Sequence, residues 1–539
     1  MCYHNTYFWH IKHTSILQYT LNLKVKIYSD ILLACICFSC YMPPVYLFTD
    51  ARLLPKWYLC VSVLAVTGLL AAVAWLRGKP LPGGIGALAS FGKVFTIATA
   101  LECLWVVVCI VKDGLRPVGE VGTLGNPAEL ALHLCIAIPI AVMLAMGNRE
   151  RKWLALYGAA AVLFVAVLLL TQSRTGLICL ALDGIIGLCL LAHRLVRRKG
   201  LRRVLYGVLA LALLAGTLLY VASHKTASTS GRAFILQRSW ELVAEHPLIG
   251  HGHRGFEREY MLRQADFFRE HPGSEYAMLA DEIHHPLNEF VHVWVNYGIV
   301  APLLLFLLLV LPLWRWRRGD RRMRPFLLPV LAILVFSCFS YPFYYPIAWL
   351  TVGTAAFCAL RSVLRRWQKH AASSYILPLF FFLVLGAAVV DAVQEHRWYR
   401  AYRHSFRDVA ALEEYEELHS YFKRNPAFLY SYAMASFKRN DLDRAKRIIG
   451  ECRQYWNGYN QELLAGDICS YQKEYADAIM HYEMASAMCP VRFAPLEGLY
   501  KVYDAMGDET NRKAIAEQIA NKKIKVFSSA VWQIKEMCK

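Results

Sequence analysis

The chain has 539 residues, of which 57% are apolar and only 18% are charged, and its formal net charge is +19. This composition excludes an intrinsically disordered chain, a collagen-like chain and a small disulfide-bonded module. The apolar residues form uninterrupted segments of about 20 residues, the length that crosses the hydrocarbon core of a bilayer. We therefore expect an all-α, polytopic membrane helix bundle embedded in a lipid bilayer.

A hydropathy window of about 19 residues predicts about 11–12 transmembrane helices. The predicted spans are 30–48, 57–76, 90–112, 127–146, 152–170, 175–193, 201–221, 289–313, 325–342, 346–363 and 374–392. Residues 1–29 form an N-terminal arm that shows no clear signal-peptide pattern. The predicted domains are thus this arm, a transmembrane domain over 30–392 and a C-terminal domain over 393–539.

The distribution of Lys and Arg predicts the orientation of the bundle. These residues concentrate in alternate loops, most densely over 194–203 and 315–324, and such loops stay on the cytoplasmic side. The long connection 222–288 and the C-terminal domain 393–539 are then expected outside the cytoplasm, in the periplasm if the membrane is a Gram-negative inner membrane. Because the positive charge is explained by topology, we expect no nucleic-acid partner.

A polar segment, Thr171-Gln172-Ser173-Arg174-Thr175-Gly176, lies at the outer end between the fifth and sixth predicted spans. A charge beside hydrocarbon is costly unless it pairs or binds a ligand, so Arg174 is a candidate functional residue. The alternative is an interfacial Arg whose side chain extends to the lipid headgroups.

The connection 222–288 is longer than two membrane helices need, and long loops of this kind are usually functional or disordered. Its aromatic residues and glycine-rich turns argue against disorder. Its motifs, in chain order, are Ser230-Gly231-Arg232, Trp240, His246-Pro247-Leu248-Ile249-Gly250-His251-Gly252 and His284-His285-Pro286-Leu287-Asn288-Glu289-Phe290, followed by Asn296-Tyr297-Gly298-Ile299.

The segment 393–539 is rich in charged and aromatic residues. Small residues recur in it at Ala445, Ala478 and Ala514, a spacing close to the ~34-residue tetratricopeptide period. The tail resembles a short tetratricopeptide-type helical solenoid, and such stacks bind a peptide or a protein partner. The alternative is a helical cap that only braces the membrane domain.

The ordered motifs of residues 30–395 resemble the O-antigen ligase and polymerase superfamily, which includes bacterial O-linked oligosaccharyltransferases. The matching pieces are Gly125-Asn126-Pro127, Ser173-Arg174-Thr175-Gly176, Gly231-Arg232 with Trp240, the 246–252 motif, and the 285–290 motif leading to Asn296-Tyr297-Gly298-Ile299. Many relatives have a His immediately before the Asn of the last motif, whereas this chain has Leu287. Whether His285 has taken over that role is left open by the spacing.

The resemblance implies transfer of a glycan from an undecaprenyl-diphosphate carrier to an acceptor hydroxyl on the periplasmic side, without a cofactor. Ligation of O-antigen to lipid A–core is the first expectation. O-linked transfer to protein and polymerisation of repeat units are the alternatives, and the repeat-like tail mildly favours a protein acceptor or partner. A non-catalytic transporter of lipid-linked glycans would predict paired charges within spans and repeated halves, and neither is visible in the sequence. A membrane-anchored scaffold acting through its tail would leave the long loop without a role.

A diphosphate leaving group requires fixed positive charge, and Arg binds phosphate oxygens in a bidentate manner. Arg174 and Arg232 are the expected catalytic clamp, and Arg254 and Arg258 are further candidates for substrate binding.

The acceptor hydroxyl must lose its proton, and His accepts protons near neutral pH. His285 is the expected base and His284 is its rival. Asn288 and Glu289 would orient either ring or bind sugar hydroxyls.

A zinc site is a weaker interpretation of the loop histidines, which include His251, His253, His284 and His285. Imidazole is a good zinc ligand, but Cys or carboxylate partners do not stand at a recognised metal spacing in the sequence. We therefore expect no metal.

Overall fold

The computed structural model describes residues 34–76, 85–113, 122–196, 200–201, 204–209, 211–212, 215–216, 227–367, 373–405 and 410–537. The N-terminal arm 1–29 and most of the predicted span 201–221 lie outside these residues. The described residues are predominantly helical and contain no β-strand, so the predicted all-α class is confirmed.

Besides shorter helical stretches at 34–39 and within 200–216, twenty α-helices have defined bounds among the described residues. They are α1 (Leu54–Leu76), α2 (Ile85–Asp113), α3 (Pro127–Gly147), α4 (Arg151–Leu170), α5 (Arg174–Leu195), α6 (Ala227–Glu245), α7 (Gly255–Glu270), α8 (Glu289–Tyr297), α9 (Val300–Arg317), α10 (Leu327–Phe339), α11 (Pro346–Trp367), α12 (Ser373–His404), α13 (Ala410–Phe422), α14 (Pro426–Lys438), α15 (Leu442–Arg453), α16 (Tyr459–Tyr471), α17 (Tyr475–Met488), α18 (Ala494–Met506), α19 (Glu509–Asn521) and α20 (Ser529–Met537). Short 3₁₀ helices occupy Glu275–Met278, Arg321–Phe326 and Pro342–Tyr344.

Among the described residues, 7 helical segments are long and apolar enough to cross a membrane. They are Leu54–Val73, Ser90–Lys112, Pro127–Gly147, Arg151–Leu170, Val300–Arg317, Arg321–Phe339 and Ile376–His404. The predicted spans near 175–193 and 346–363 form helices α5 and α11, of which α11 has a shorter apolar part, Pro346–Leu360. The chain is therefore a polytopic membrane protein.

The predicted span 289–313 is wrong in one respect, because the structure divides it into two helices. Helix α8 ends at Tyr297, Gly298 adopts a left-handed backbone with φ +73°, and α9 begins at Val300. Apolar residues continue through the break, so a hydropathy window cannot detect it. The membrane-crossing helix therefore begins after the glycine.

The chain forms two compact units. The first comprises Met1–Leu213, Leu308–Phe336 and Pro342–Val393, and the second comprises Leu214–Leu307, Ser337–Tyr341 and Gln394–Lys539. Helices α1–α5 and α11 lie wholly in the first unit, whereas α6–α8 and α13–α20 lie wholly in the second. The long loop and the C-terminal tail thus share one unit.

Helix α3 is the deeply buried element of the first unit, where it packs against α2, α4 and α5. It begins sharply because Pro127 fits a first helical turn and the Asn126 side chain accepts a hydrogen bond from the Ala128 amide at 2.8 Å. One turn in, Glu129 pairs with Lys56 at 3.2 Å. Both side chains are almost fully buried, and a pair of opposite charges is the form in which such groups are tolerated in an apolar interior. The expectation that paired charges are lacking within the spans is therefore wrong, because both residues lie in candidate membrane-crossing segments.

In the second unit, the loop helix α7 packs against α6 and α8, and also against α17 of the tail. Phe256, Tyr260 and Ala265 of α7 are buried in one apolar cluster with Met488 of the tail. Gln264 is fully buried on the same helix and donates hydrogen bonds to the backbone oxygens of Met488 at 2.7 Å and Asp281 at 3.1 Å. The loop is therefore an ordered helical layer on the tail.

The tail is a succession of helical hairpins, α14–α15, α16–α17 and α18–α19, in which each helix packs on the next. Two of the small residues singled out by spacing, Ala445 and Ala478, are fully buried, whereas Ala514 is exposed. Close approach is also required at Gly498, where an added Cβ atom would lie 2.5 Å from the Tyr482 ring. The hairpin stack agrees with a helical tail, and its assignment as tetratricopeptide-like stays a prediction.

Candidate active site

The segment 284–290 folds back on helix α8. Asn288 caps the helix, because its Oδ1 accepts a hydrogen bond from the Val291 amide at 3.1 Å, and its Nδ2 donates to the Cys338 oxygen at 3.1 Å. The preceding residue, Leu287, has φ +56°, a left-handed conformation that is uncommon for a residue other than glycine. This turn brings His285 over the first turn of α8.

Three side chains meet there: His285, Glu289 and His292. His285 Nε2 lies 3.8 Å from Glu289 Oε2, and His292 Nδ1 lies 3.8 Å from Glu289 Oε1. The imidazole centroids are 4.3 Å apart. The relative exposures of these side chains are 17%, 10% and 21%, in the order named, so the cluster is largely enclosed but reachable. We call these three residues the imidazole–carboxylate cluster.

Each member presents a buried polar atom that has no hydrogen-bond partner among the described residues: His285 Nε2, Glu289 Oε2 and His292 Nδ1. Unpartnered buried polar atoms are costly and rare in folded proteins, so each requires an explanation. Burial, assisted by the neighbouring His292, holds the pKa of His285 well below its usual value. The ring of His285 is therefore neutral at physiological pH.

The three residues are also of a type and spacing that could hold a metal ion, since one ligand atom from each lies within 4.8 Å of the others. Glu289 is therefore a carboxylate partner at metal spacing, which the sequence analysis did not expect. However, the Leu287 amide donates to His285 Nδ1 at 3.0 Å. The single proton of a neutral ring must then reside on Nε2, the nitrogen that a metal would need unprotonated. The donor set present does not fit a metal.

His292 is the member that the sequence analysis missed. It stands three residues after Glu289, and residues three or four apart share one helix face. That spacing is readable in the sequence. What the sequence does not show is the fold-back at Leu287 that adds His285 to the same face.

The predicted arginines of the loop have different surroundings. Arg232 lies on α6 with an exposed side chain, and its Nη1 donates to the Phe339 oxygen at 3.4 Å. Arg254 stands at the start of α7 with φ +59°. Arg258 donates from Nη2 to the His251 oxygen at 2.8 Å and from Nε to Glu259 at 2.6 Å. The guanidinium of Arg258 therefore stabilises the loop itself.

His284, the rival base, has an exposed side chain, and its ring packs edge-on against Trp456 of the tail with centroids 4.9 Å apart. Arg174 belongs to the first unit. It is the first residue of α5, whose preceding Ser173 accepts a hydrogen bond from the Gly176 amide at 3.2 Å. A helix N-terminus favours anions, because its amide groups point outward and carry partial positive charge.

The 246–252 motif supports α8 through backbone hydrogen bonds. The His251 amide donates to the Val295 oxygen at 2.7 Å, the Gly252 amide to the Asn296 oxygen at 2.9 Å, and the Ile299 amide to the Pro247 oxygen at 3.0 Å. His251 itself contributes a side-chain hydrogen bond from Nε2 to the Leu242 oxygen at 2.8 Å. The motif therefore holds the end of the helix that carries the cluster.

The Gly125-Asn126-Pro127 motif borders a cavity of about 160 Å³ in the first unit. Its lining residues are Asp50, Arg52, Leu53, Lys56, Leu124, Gly125, Asn126, Glu129, Tyr344 and Tyr345. Both signs of charge are represented in this lining. The side-chain Nδ2 of Asn126 also donates to the Tyr345 hydroxyl at 3.1 Å.

Residues 159–306 match the family described as O-antigen ligase. The match begins within α4 and ends in α9, so it contains Arg174, Arg232 and the complete imidazole–carboxylate cluster. The search of curated proteins returned no match.

Proposed function

We propose that this protein transfers a glycan from undecaprenyl diphosphate to an acceptor hydroxyl. The support is the match of residues 159–306 to the family described as O-antigen ligase, which is of the ligase or polymerase glycosyltransferase type. The acceptor that we propose first is lipid A–core. The observation that carries the proposal is the imidazole–carboxylate cluster, in which one carboxylate and two imidazoles are enclosed within the matching domain. Transfer to a hydroxyl requires such groups.

The leaving group of this reaction is a diphosphate, on which negative charge develops as the glycosyl bond breaks. Fixed cations that bind phosphate oxygens stabilise that charge. We assign this role to Arg174 and Arg232. Arg174 adds the amide groups of a helix N-terminus to its own charge.

We further propose that the loop 222–288 and the tail lie on the periplasmic side of an inner membrane. The support is the concentration of Lys and Arg in the loops that this topology leaves in the cytoplasm. Reporter fusions within 246–252 and after residue 405 test this orientation, and a cytoplasmic signal at either site would contradict it.

A second candidate function is O-linked transfer to protein. It is favoured by the packing of the tail helix α17 on the loop helix α7, because a stack of helical hairpins beside the site offers a surface for an extended peptide. Polymerisation of repeat units has weaker support. Its acceptor is a second lipid-linked unit, so it gives no role to the packing of α17 on α7.

The decisive experiment reconstitutes the full chain in proteoliposomes with an undecaprenyl-diphosphate-linked glycan and one acceptor at a time. Product on lipid A–core supports ligation, product on a Ser- or Thr-containing peptide supports the second candidate, and lengthened donor supports polymerisation. If the donor crosses the bilayer and is not consumed, the protein is a transporter. An absence of product with every acceptor contradicts an enzymatic function.

A further inference from the structure

We propose that Glu289 accepts the proton of the acceptor hydroxyl, and that His285 and His292 are positioning residues that direct N–H groups at its carboxylate. This inference rests on the proposed transfer reaction. It moves the role of base away from His285, which the sequence analysis expected to fill it. It also gives the three unpartnered atoms of the cluster one common role, with an N–H on each imidazole and a carboxylate between them.

The proton on His285 is located by the backbone. The Leu287 amide can only donate, and it lies 3.0 Å from His285 Nδ1, so that nitrogen carries a lone pair. A neutral ring has one N–H, which therefore lies on Nε2. This nitrogen lies 3.8 Å from Glu289 Oε2.

The proton on His292 is located through Asn296. The Phe256 amide donates to Asn296 Oδ1 at 2.9 Å, which fixes the amide so that Nδ2 faces the ring. Asn296 Nδ2 lies 3.2 Å from His292 Nε2 and can only donate, so Nε2 carries the lone pair. The N–H of His292 then lies on Nδ1, which is 3.8 Å from Glu289 Oε1.

Both imidazoles thus place a donor nitrogen 3.8 Å from the carboxylate, one near each oxygen. Their lone pairs are already occupied by N–H groups of the protein, so neither ring nitrogen that faces the cluster can accept a proton. The carboxylate keeps free acceptor capacity, because its two oxygens offer about four lone-pair positions. The separations of 3.8 Å exceed a hydrogen bond, and catalytic hydrogen bonds often tighten only when substrate is bound.

The step is a single displacement at the anomeric carbon. The acceptor oxygen forms a bond to that carbon as its proton passes to Glu289, and the bond between the carbon and the diphosphate oxygen breaks with its electron pair leaving on the diphosphate. Glu289 becomes a carboxylic acid and returns the proton to solvent after product release. The two N–H groups hold the carboxylate in one orientation throughout.

The test measures kcat and the donor KM of single variants in the reconstituted transfer reaction. Glu289→Gln is expected to lower kcat by about 100- to 10,000-fold and to leave the donor KM unchanged. His285→Gln and His292→Gln retain an N–H donor and are expected to keep more than about one tenth of the wild-type kcat, whereas His285→Leu loses the donor and falls well below His285→Gln. Glu270→Gln, an exposed carboxylate on α7, is the matched control.

Loss of activity in His285→Gln as complete as in His285→Leu, with Glu289→Gln still active, would make His285 the base and overturn the inference. So would a stoichiometric divalent metal in the purified wild-type protein that is lost in His292→Gln, because the imidazoles would then be ligands. If Glu289→Gln does not fold, the kcat values of His285→Gln and His285→Leu decide whether His285 is a positioning residue or the base. A wild-type protein that transfers nothing refutes the proposed function instead.

Discussion

A Cβ atom added to Gly298 would lie 1.9 Å from the backbone oxygen of Leu248. The 246–252 motif thus occupies the space that any other residue at position 298 would need. Gly298→Ala is expected to abolish transfer and to lower the thermal midpoint, because the clash is with backbone and the φ of +73° with ψ of −175° adds about 1–3 kcal/mol of strain. Gly273→Ala is the control, since its φ is +106° and the described residues leave the space around its added Cβ open to 4 Å. If Gly273→Ala lowered transfer and the thermal midpoint as much as Gly298→Ala, the clash with Leu248 would not explain why glycine is required between α8 and α9.

Gln264 joins the loop to the tail from a fully buried position, and Gln264→Met is expected to separate them. The variant leaves the Met488 and Asp281 oxygens and the Tyr260 hydroxyl without their partner, at a cost of about 1–3 kcal/mol for each buried group. The control is Arg492→Ala, which removes an ion pair with Asp281 of 2.7 Å at the surface and should cost about 0–1 kcal/mol. The measurement is the rate of limited proteolysis within 246–288, which should rise if the loop has separated from the tail. Unchanged cleavage in Gln264→Met would show that the loop is held by other contacts.

Because of Glu282, stability should fall as pH rises from the mildly acidic range to about 7. Burial raises the pKa of this carboxyl to about 7, above the ordinary value that it has in the unfolded chain. The folded protein therefore binds a proton that the unfolded chain has released, so stability declines from the unfolded pKa upward until the folded group ionises near pH 7. Glu282→Gln removes this dependence and should raise the thermal midpoint more at pH about 8.5 than at pH about 5. Glu270→Gln should show no such difference, and a wild-type midpoint that rises over the same interval would contradict the assignment.

Arg174 and Arg232 should be distinguishable from ordinary surface cations by their response to lysine. Lysine keeps the charge but loses the planar fork that binds two phosphate oxygens. We expect Arg174→Ala and Arg232→Ala to lower kcat/KM for the donor by about 10- to 100-fold, and the lysine variants to recover only part of it. Arg269→Ala, on the exposed face of α7, should have no effect. Full recovery by lysine would show that charge alone is required.

Much of the fold follows from sequence, because hydropathy over a window reports which segments can cross a bilayer. The hydropathy window failed at residues 289–313, because apolar residues continue through the break between α8 and α9. Gly298 is the residue that marks this break in the sequence. The helical character of the tail was also predictable. Its attachment to the loop was not, because the contact between Gln264 and Met488 joins residues that are distant in sequence and leaves no periodic pattern.

The candidate site was predictable in part. His285, Asn288 and Glu289 were identified by their motif, whereas His292 was omitted although it shares a helix face with Glu289. The direction of each imidazole could not be inferred, since it depends on the Leu287 and Phe256 amides. Every residue other than proline has such an amide, and only the folded structure shows which amides lie beside the imidazoles.

The burial of Phe256 and Tyr260 against Met488 has a consequence for biogenesis. The ribosome completes the loop long before it reaches α17, so the apolar side of α7 stays uncovered while the remaining membrane segments are inserted. A protein shortened before residue 475 would keep that side exposed and would be a substrate for chaperones and proteases.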